Sequence, residues 1–174
     1  MRILALDEAT LKTGYAVFEN DKMTEYGLLQ KNKKDFADAD TRCRAMALTM
    51  MVLIDEKKPD VVAIEDVALQ KNAWVLIQLS RIQGEIIGYC DMNGIPIVIL
   101  KPTQWRKAVG IKQGTKSRSL LKKDAKDFVF DHFGITVTED EADAICIACA
   151  VLLNTQNSKE EDIDGNEDSD VRES

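Results

Sequence analysis

The sequence has one histidine, His132, and only four cysteines, Cys43, Cys90, Cys146 and Cys149. A structural zinc centre draws its ligands from paired Cys and His residues. Cys146 and Cys149 form one C-x-x-C, but it lies inside the apolar stretch Ala144 to Ala150 and no second pair completes a set. These thiols read as small buried hydrophobes, and His132, late in a helical pattern, reads as structural. Also missing is any run of about 18 apolar residues, which excludes a membrane span by hydropathy. The opening Met1 to Asp7 turns acidic too soon for a secretory signal, so a cytoplasmic location is expected. No internal repeat is present.

Bases are outnumbered too, 23 against 30 acids for a net charge of −7, which looks wrong for a nucleic-acid-binding protein. The imbalance is local. Ser158 to Ser174 holds eight acids and two bases, so the rest of the chain carries only −1. Lys101 to Lys126 holds nine bases against the single acid Asp124. An acidic tail masks a basic patch suited to a polyanion. The expected division is therefore a folded domain over residues 1–155 and an acidic, disordered tail over 156–174. The tail is expected to compete with DNA for the patch.

Hydrophobic periodicity supplies the elements. Arg2 to Asp7 is a short buried strand, and Gly14 to Glu19 and Thr24 to Gln30 are two more, joined by a turn at Asn20-Asp21-Lys22. Asp40 to Lys57 has helical spacing and stops before Pro59. Asp60 to Val67 is a second apolar run carrying an acid near its end. Val75, Leu79, Ile82, Ile86 and Tyr89 mark a long helix closed at Asn93-Gly94. Ile95 to Leu100 is a fifth strand. Helices follow at Thr103 to Val109, Lys116 to Phe133 and, after a Thr138/Glu141 capping box, through about Asn154. The order predicts an α/β fold, a mixed five-stranded sheet flanked by helices: an antiparallel hairpin trio plus parallel strands.

Two buried strands end in a carboxylate, Asp7 and Glu65, and burying such a group is costly unless something offsets it. If those strands neighbour each other, both acids enter one site. Asp140 and Asp143 share a face in the first turns of the last helix. Four clustered carboxylates call for cations, and hard oxygen ligands favour Mg2+ or Mn2+. Two such ions can activate water and stabilise the leaving oxygen of a phosphodiester. Each element also has an ordinary reading. Asp7 could start a turn, Glu65-Asp66 could be a solvated strand end, Asp140 could complement a helix dipole, and the basic stretch could be a solvated helix face.

The joint pattern resembles the RuvC family of Holliday-junction resolvases, of the RNase H-like superfold. The resemblance runs to about Leu153 and rests on Ile3 to Asp7 with Thr13-Gly14-Tyr15, Pro59 to Glu65 with Lys71-Asn72, Gln83-Gly84, Gly110-Ile111, Lys116-Ser117 and Asp140 to Ala144. It implies that Asp7, Glu65, Asp140 and Asp143 are metal-binding catalytic residues holding two Mg2+ or Mn2+ ions. It also implies a homodimer that nicks branched DNA at paired positions. Arg106 and Lys116 match family basic positions, while Lys112, Arg118, Lys122 and Lys123 are phosphate contacts by charge alone. Of the two tryptophans, Trp105 is the better candidate for touching DNA, and Trp74 is expected to pack on its helix.

Three departures stand out. Glu8-Ala9 follows the first Asp where the family commonly has Pro-Gly, so a further ligand or altered metal affinity is in play. Ala68 stands where the family often has a junction-stacking aromatic, which points to branched DNA beyond four-way junctions, including forks and flaps. The acidic tail is extra. Together these resemble divergent RuvC-like nucleases of bacteriophages. A branched-DNA-binding protein with little cleavage is the alternative. An actin-like sugar or acetate kinase, sharing the RNase H-like core, is excluded by the absent Gly-rich loop after Asp7 and by the short chain.

Overall fold

A computed structural model describes residues 1–69 and 72–167, with side chains described as far as Gln156. The elements are β1 (Arg2–Asp7), β2 (Lys12–Glu19), β3 (Lys22–Gln30), a 3-10 turn (Lys33–Asp35), α1 (Ala39–Lys57), β4 (Val61–Glu65), α2 (Ala73–Met92), β5 (Ile97–Leu100), α3 (Pro102–Ala108), α4 (Arg118–Phe133) and α5 (Glu139–Glu167). One five-stranded sheet has the order β3-β2-β1-β4-β5. β1, β2 and β3 pair antiparallel, while β4 lies parallel to both β1 and β5. This is the expected mixed sheet.

The chain's polar residues set the element ends. Asp38 caps α1 by accepting from the Thr41 N–H at 2.7 Å, and α1 closes at Lys58 (φ 46°) before Pro59. Ser117 caps α4, which closes at Gly134 (φ 68°), so α4 starts at Arg118 rather than Lys116. The β2–β3 turn is tighter than expected. Glu19 pairs with Lys22, leaving Asn20-Asp21 as a two-residue turn in which Asn20 takes φ 55°, a conformation Asn tolerates. α5 is assigned through Glu167, past the expected end near Asn154. The expected tail boundary at 156 meets the end of the described side chains, and residues 168–174 lie outside the described residues, as does Lys71.

Alternation along the strands builds two cores. Ile3, Ala5, Val61 and Ala63 face α3, α4 and α5, packing with Trp105, Val129, Ile145 and Ala148. Leu4, Leu6, Val62 and Ile64 face α1 and α2, packing with Met46, Met50, Ile82 and Ile86. All four cysteines are free; Cys146 is buried and Cys149 half-buried, as befits small hydrophobes. His132 stacks on Phe128 with ring centroids 4.0 Å apart. No helix of the described residues is long and apolar enough to cross a membrane.

Candidate active site

Strand parity places the first two acids. Asp7 is two positions past Ala5, and Glu65 two past Ala63, so both continue the face that packs on α5. Leu6 pairs with Ile64 across the parallel β1–β4 ladder, which sets the two carboxylates side by side at the carboxyl ends of the strands. Crevices at such strand ends are the usual ligand sites of α/β sheets. Gln83 Nε2 on α2 donates to the Glu65 carbonyl at 2.9 Å and fixes the end of β4.

α5 supplies the other pair. Glu141 accepts from the Thr138 N–H at 2.8 Å and from Thr138 Oγ1 at 2.7 Å, the capping box read from the sequence. With Glu141 engaged in the cap, Asp140 and Asp143 turn to the sheet, where both line a cleft of 490 Å³ together with Asp7 and Glu65. Gly14 makes this approach possible. It pairs with Asp7, and a Cβ there would sit 1.9 Å from the Asp140 carbonyl oxygen. The turn after Asp7 is pinned as well: buried Thr13 exchanges hydrogen bonds with Ala9 at 3.1 and 3.2 Å, and Arg42 Nε donates to the Thr10 carbonyl at 3.2 Å.

The electrostatics are those of crowded, desolvated acids. Burial, then Asp143, Glu65 and Asp140, hold the Asp7 carboxyl well above the usual range. Burial raises Asp143 to about 6, with Lys122 pulling the other way and Glu65 adding to the rise. Glu65 is raised by burial and drawn back by a hydrogen bond from Trp105. Asp143 Oδ1 and both oxygens of Glu8 are shielded from solvent and have no hydrogen-bonding partner in the protein. Glu8 as a residue is only half-buried, but its carboxylate is enclosed, and that burial pushes it up to about 8.

Lys122 answers this charge by direct ion pairing, with Arg106 and Arg118 acting on Glu65 from the same cleft. Lys122 Nζ lies 3.3 Å from Glu139, 3.5 Å from Asp140 and 3.8 Å from Asp143. Burial lowers its proton affinity, but Asp143, Asp7 and Asp140 outweigh that and hold it protonated. No three acids among the described residues stand close enough to cage a bare ion as they are; Lys122 stands in the gap. The all-oxygen donor set, the orphaned Asp143 oxygen and the mutual repulsion of the acids nevertheless fit a hard divalent cation, which would take over the role of the ammonium.

The sequence model of the family described as "Crossover junction endodeoxyribonuclease RuvC" matches residues 3–151. The chain belongs to the RuvC family. A member from Caldicellulosiruptor saccharolyticus is 25% identical over 160 residues, covering 90% of this chain and 95% of its own length. Among solved structures, the RuvC of Thermus thermophilus in complex with a Holliday junction substrate superposes with a TM-score of 0.72 at 14% identity, covering 90% of this chain and 96% of that one. The fowlpox virus resolvase with Holliday junction DNA gives 0.62 at 16% identity, covering 89% and 99%. At these identities the structures establish the shared fold, which is the RNase H-like arrangement expected.

The basic residues divide. Arg106, Arg118 and Lys122 line the cleft. Lys112 and Lys116 line a separate hollow with Asp124, Asp127 and Asp131, and Lys116 pairs with Asp124 at 2.5 Å. Lys123 is paired with Asp127. Lys122, read from sequence as a phosphate contact by charge, is engaged with the acids. Trp105 is a correction: it is fully buried and cannot stack on a base, because α3 packs it into the core under the cleft. Trp74 is about half exposed, with the Arg81 guanidinium 5.8 Å from its ring.

The raised carboxyls carry a pH dependence. Asp143 and Glu8 keep protons in the folded protein that the unfolded chain has already released, so their stabilising contribution is full near pH 4 and is lost as pH rises through about 6 and then about 8. The melting temperature of metal-free protein is expected to fall across that window. Glu8→Gln should raise it by roughly 5 °C near pH 8.5 and leave it unchanged near pH 4. Differential scanning calorimetry across pH checks both, and an unchanged melt at high pH would show that Glu8 ionises freely.

Proposed function

We propose that this chain is a metal-dependent, structure-selective DNA endonuclease that cuts four-way junctions, and forks and flaps besides, with Asp7, Glu65, Asp140 and Asp143 holding Mg2+ or Mn2+. The observation that carries the reading is the convergence of these four acids, from three distant elements, on one cleft that Arg106 and Arg118 also line. When bound, the cations supply an activated water and stabilise the departing 3′ oxygen. The chain's own groups do the rest. Arg106 and Arg118, lining the cleft with the acids, are the guanidinium groups available to the phosphates of a bound strand. The acids orient the cations through strand ends and a helix start that are rigid parts of the fold, and Lys122 adds positive charge beside the attacked phosphate.

Breadth of substrate follows from the cleft rim. Ala68 lines it and Leu69 is 89% exposed, so no aromatic there wedges a junction centre. The deciding experiment incubates labelled four-way junction, fork, flap and linear duplex with Mg2+ or Mn2+. Cuts are expected in the three branched substrates and not in the duplex. Binding without product would instead make the protein a branched-DNA-binding module.

A homodimer completes the reading, since paired nicks need two sites. α2 supports it with a stripe at helical spacing, exposed at Trp74, Ile77, Arg81 and Gly84 and continued by half-buried Gly88. Trp74 and Ile77 are 51% and 42% exposed. A Cβ on Gly84 or Gly88 would meet nothing within 4 Å, so a second helix can approach closely there. Ile77→Glu is expected to convert the dimer to monomer in analytical ultracentrifugation, with an unaltered far-UV circular dichroism spectrum. A variant that sediments as the parent does would move the interface elsewhere.

A further inference from the structure

Trp105 is one of the largest fully buried side chains, and its indole nitrogen ends on the site. The Nε1–H donates to Glu65 Oε2 at 2.6 Å, across 40 positions of sequence. A buried tryptophan must find some acceptor for its N–H, and backbone carbonyls are the commonest ones available. Here the acceptor is the side-chain carboxylate of a site residue, at a distance typical of strong, charge-assisted bonds. The same ring also supports a cation, since the Arg106 guanidinium lies 4.4 Å over its centroid. Arg106 lines the cleft, its Nε is buried with no hydrogen-bonding partner in the protein, and its charge acts on Glu65 and Asp143 while its guanidinium rests on the indole face.

We infer that Trp105 is a positioning residue that fixes the rotamer of Glu65 through its N–H and seats Arg106 on its ring, so that one buried side chain sets the relative placement of a metal ligand and a phosphate-binding guanidinium. With Oε2 held by the indole, a cation is met by the other oxygen. α3 is short, seven residues, and is clamped at its start by Gln104 Oε1 accepting from the Lys101 N–H at 2.8 Å. Its Trp105-Arg106 pair therefore reaches the site as a rigid unit. This inference rests on Glu65 being a metal ligand, and the variants below separate the two claims.

Mn2+ affinity is measured by titration calorimetry without DNA for the wild type, Trp105→Phe, Glu65→Gln and the double variant, with thermal melts alongside. Phe keeps an aromatic ring and removes the N–H donor together with part of the indole's bulk, and the melts report the packing loss separately. Supporting partners of metal ligands typically contribute 10–100-fold in affinity, so Trp105→Phe is expected to weaken Mn2+ binding about tenfold or more while still melting cooperatively. In the Glu65→Gln background the same change should cost less than about twofold, a non-additivity that a purely structural role does not produce. Wild-type Mn2+ affinity in Trp105→Phe overturns the inference. Wild-type affinity in Glu65→Gln overturns the metal assignment itself. If Trp105→Phe does not fold, Trp74→Phe protein, whose single tryptophan is Trp105, is titrated with Mg2+: a saturable change in its emission supports the inference and a flat titration overturns it.

Discussion

Asp7→Asn is expected to abolish metal-dependent strand cleavage, by about a thousandfold or more, while leaving junction binding measurable in the absence of metal. Asp7 is acted on by all the others: burial and the charges of Asp143, Glu65 and Asp140 all raise its proton affinity. A divalent cation relieves that repulsion, and losing roughly 4 kcal/mol of transition-state stabilisation corresponds to a thousandfold in rate. Asparagine has nearly the same shape and no charge. The metal-free variant is therefore expected to melt several degrees above the parent near neutral pH, since a buried like-charged group has been neutralised. Gel assays of nicking with Mg2+ and a melt in EDTA check the two halves. Full activity with a raised melting temperature would mean that Asp7 is a structural acid and the cations sit elsewhere.

Gly14→Ala is the second large effect. A Cβ 1.9 Å from the Asp140 carbonyl overlaps backbone, not a movable side-chain end. Ordinary contact needs roughly 3.4 Å or more, so either β2 or the first turn of α5 must shift by more than about 1 Å. Overpacking of this kind costs about 1–3 kcal/mol in a well-packed core, and α5 packs closely on β1 and β2. A fall of roughly 5–10 °C in melting temperature is expected. Because the displaced segment carries Asp140 and Asp143, cleavage should fall by about a hundredfold even at temperatures where the variant is folded. Activity measured well below the melt, normalised to folded protein, tests this. A variant with lowered stability and wild-type turnover would show that the two aspartates tolerate the shift.

How legible all this was differs by residue. The strand-end acids were readable because a carboxylate after four apolar residues is costly and conspicuous; parity along Ala5-Leu6-Asp7 and Ala63-Ile64-Glu65 then dictates their shared face. Thr138 and Glu141 announced the start of α5 correctly because a capping box is a local device. Boundaries moved where a side chain acted locally in ways that periodicity does not report. β2 begins at Lys12, because Thr13 is buried against the Ala9 turn, and the β2–β3 turn shortened because Asn20 accepts a left-handed backbone.

Trp105, Lys122 and Gly14 were not legible in the roles they take at the site. Each acquires its role from an element far along the chain. Trp105 meets Glu65, Lys122 meets the acids of α5, and Gly14 meets the Asp140 backbone. Charge alone assigned Lys122 to DNA, and its place between Gln104 and Arg106 drew Trp105 toward it. The available signal for Trp105 was its place in a short helix directly after an apolar strand, with Pro102 at the first turn.

The ammonium of Lys122 among three carboxylates bears on how the protein can be handled. A small zinc domain collapses when its metal is stripped, because no group of its own replaces the ion. Here the fold carries a resident counter-charge, so removal of the divalent ions leaves the acids neutralised in part and the cleft in shape. Chelation should act as a reversible off-switch. Protein purified in EDTA stays folded and storable, binds branched DNA without cutting it, and begins to cut on addition of Mg2+, with no refolding step in between.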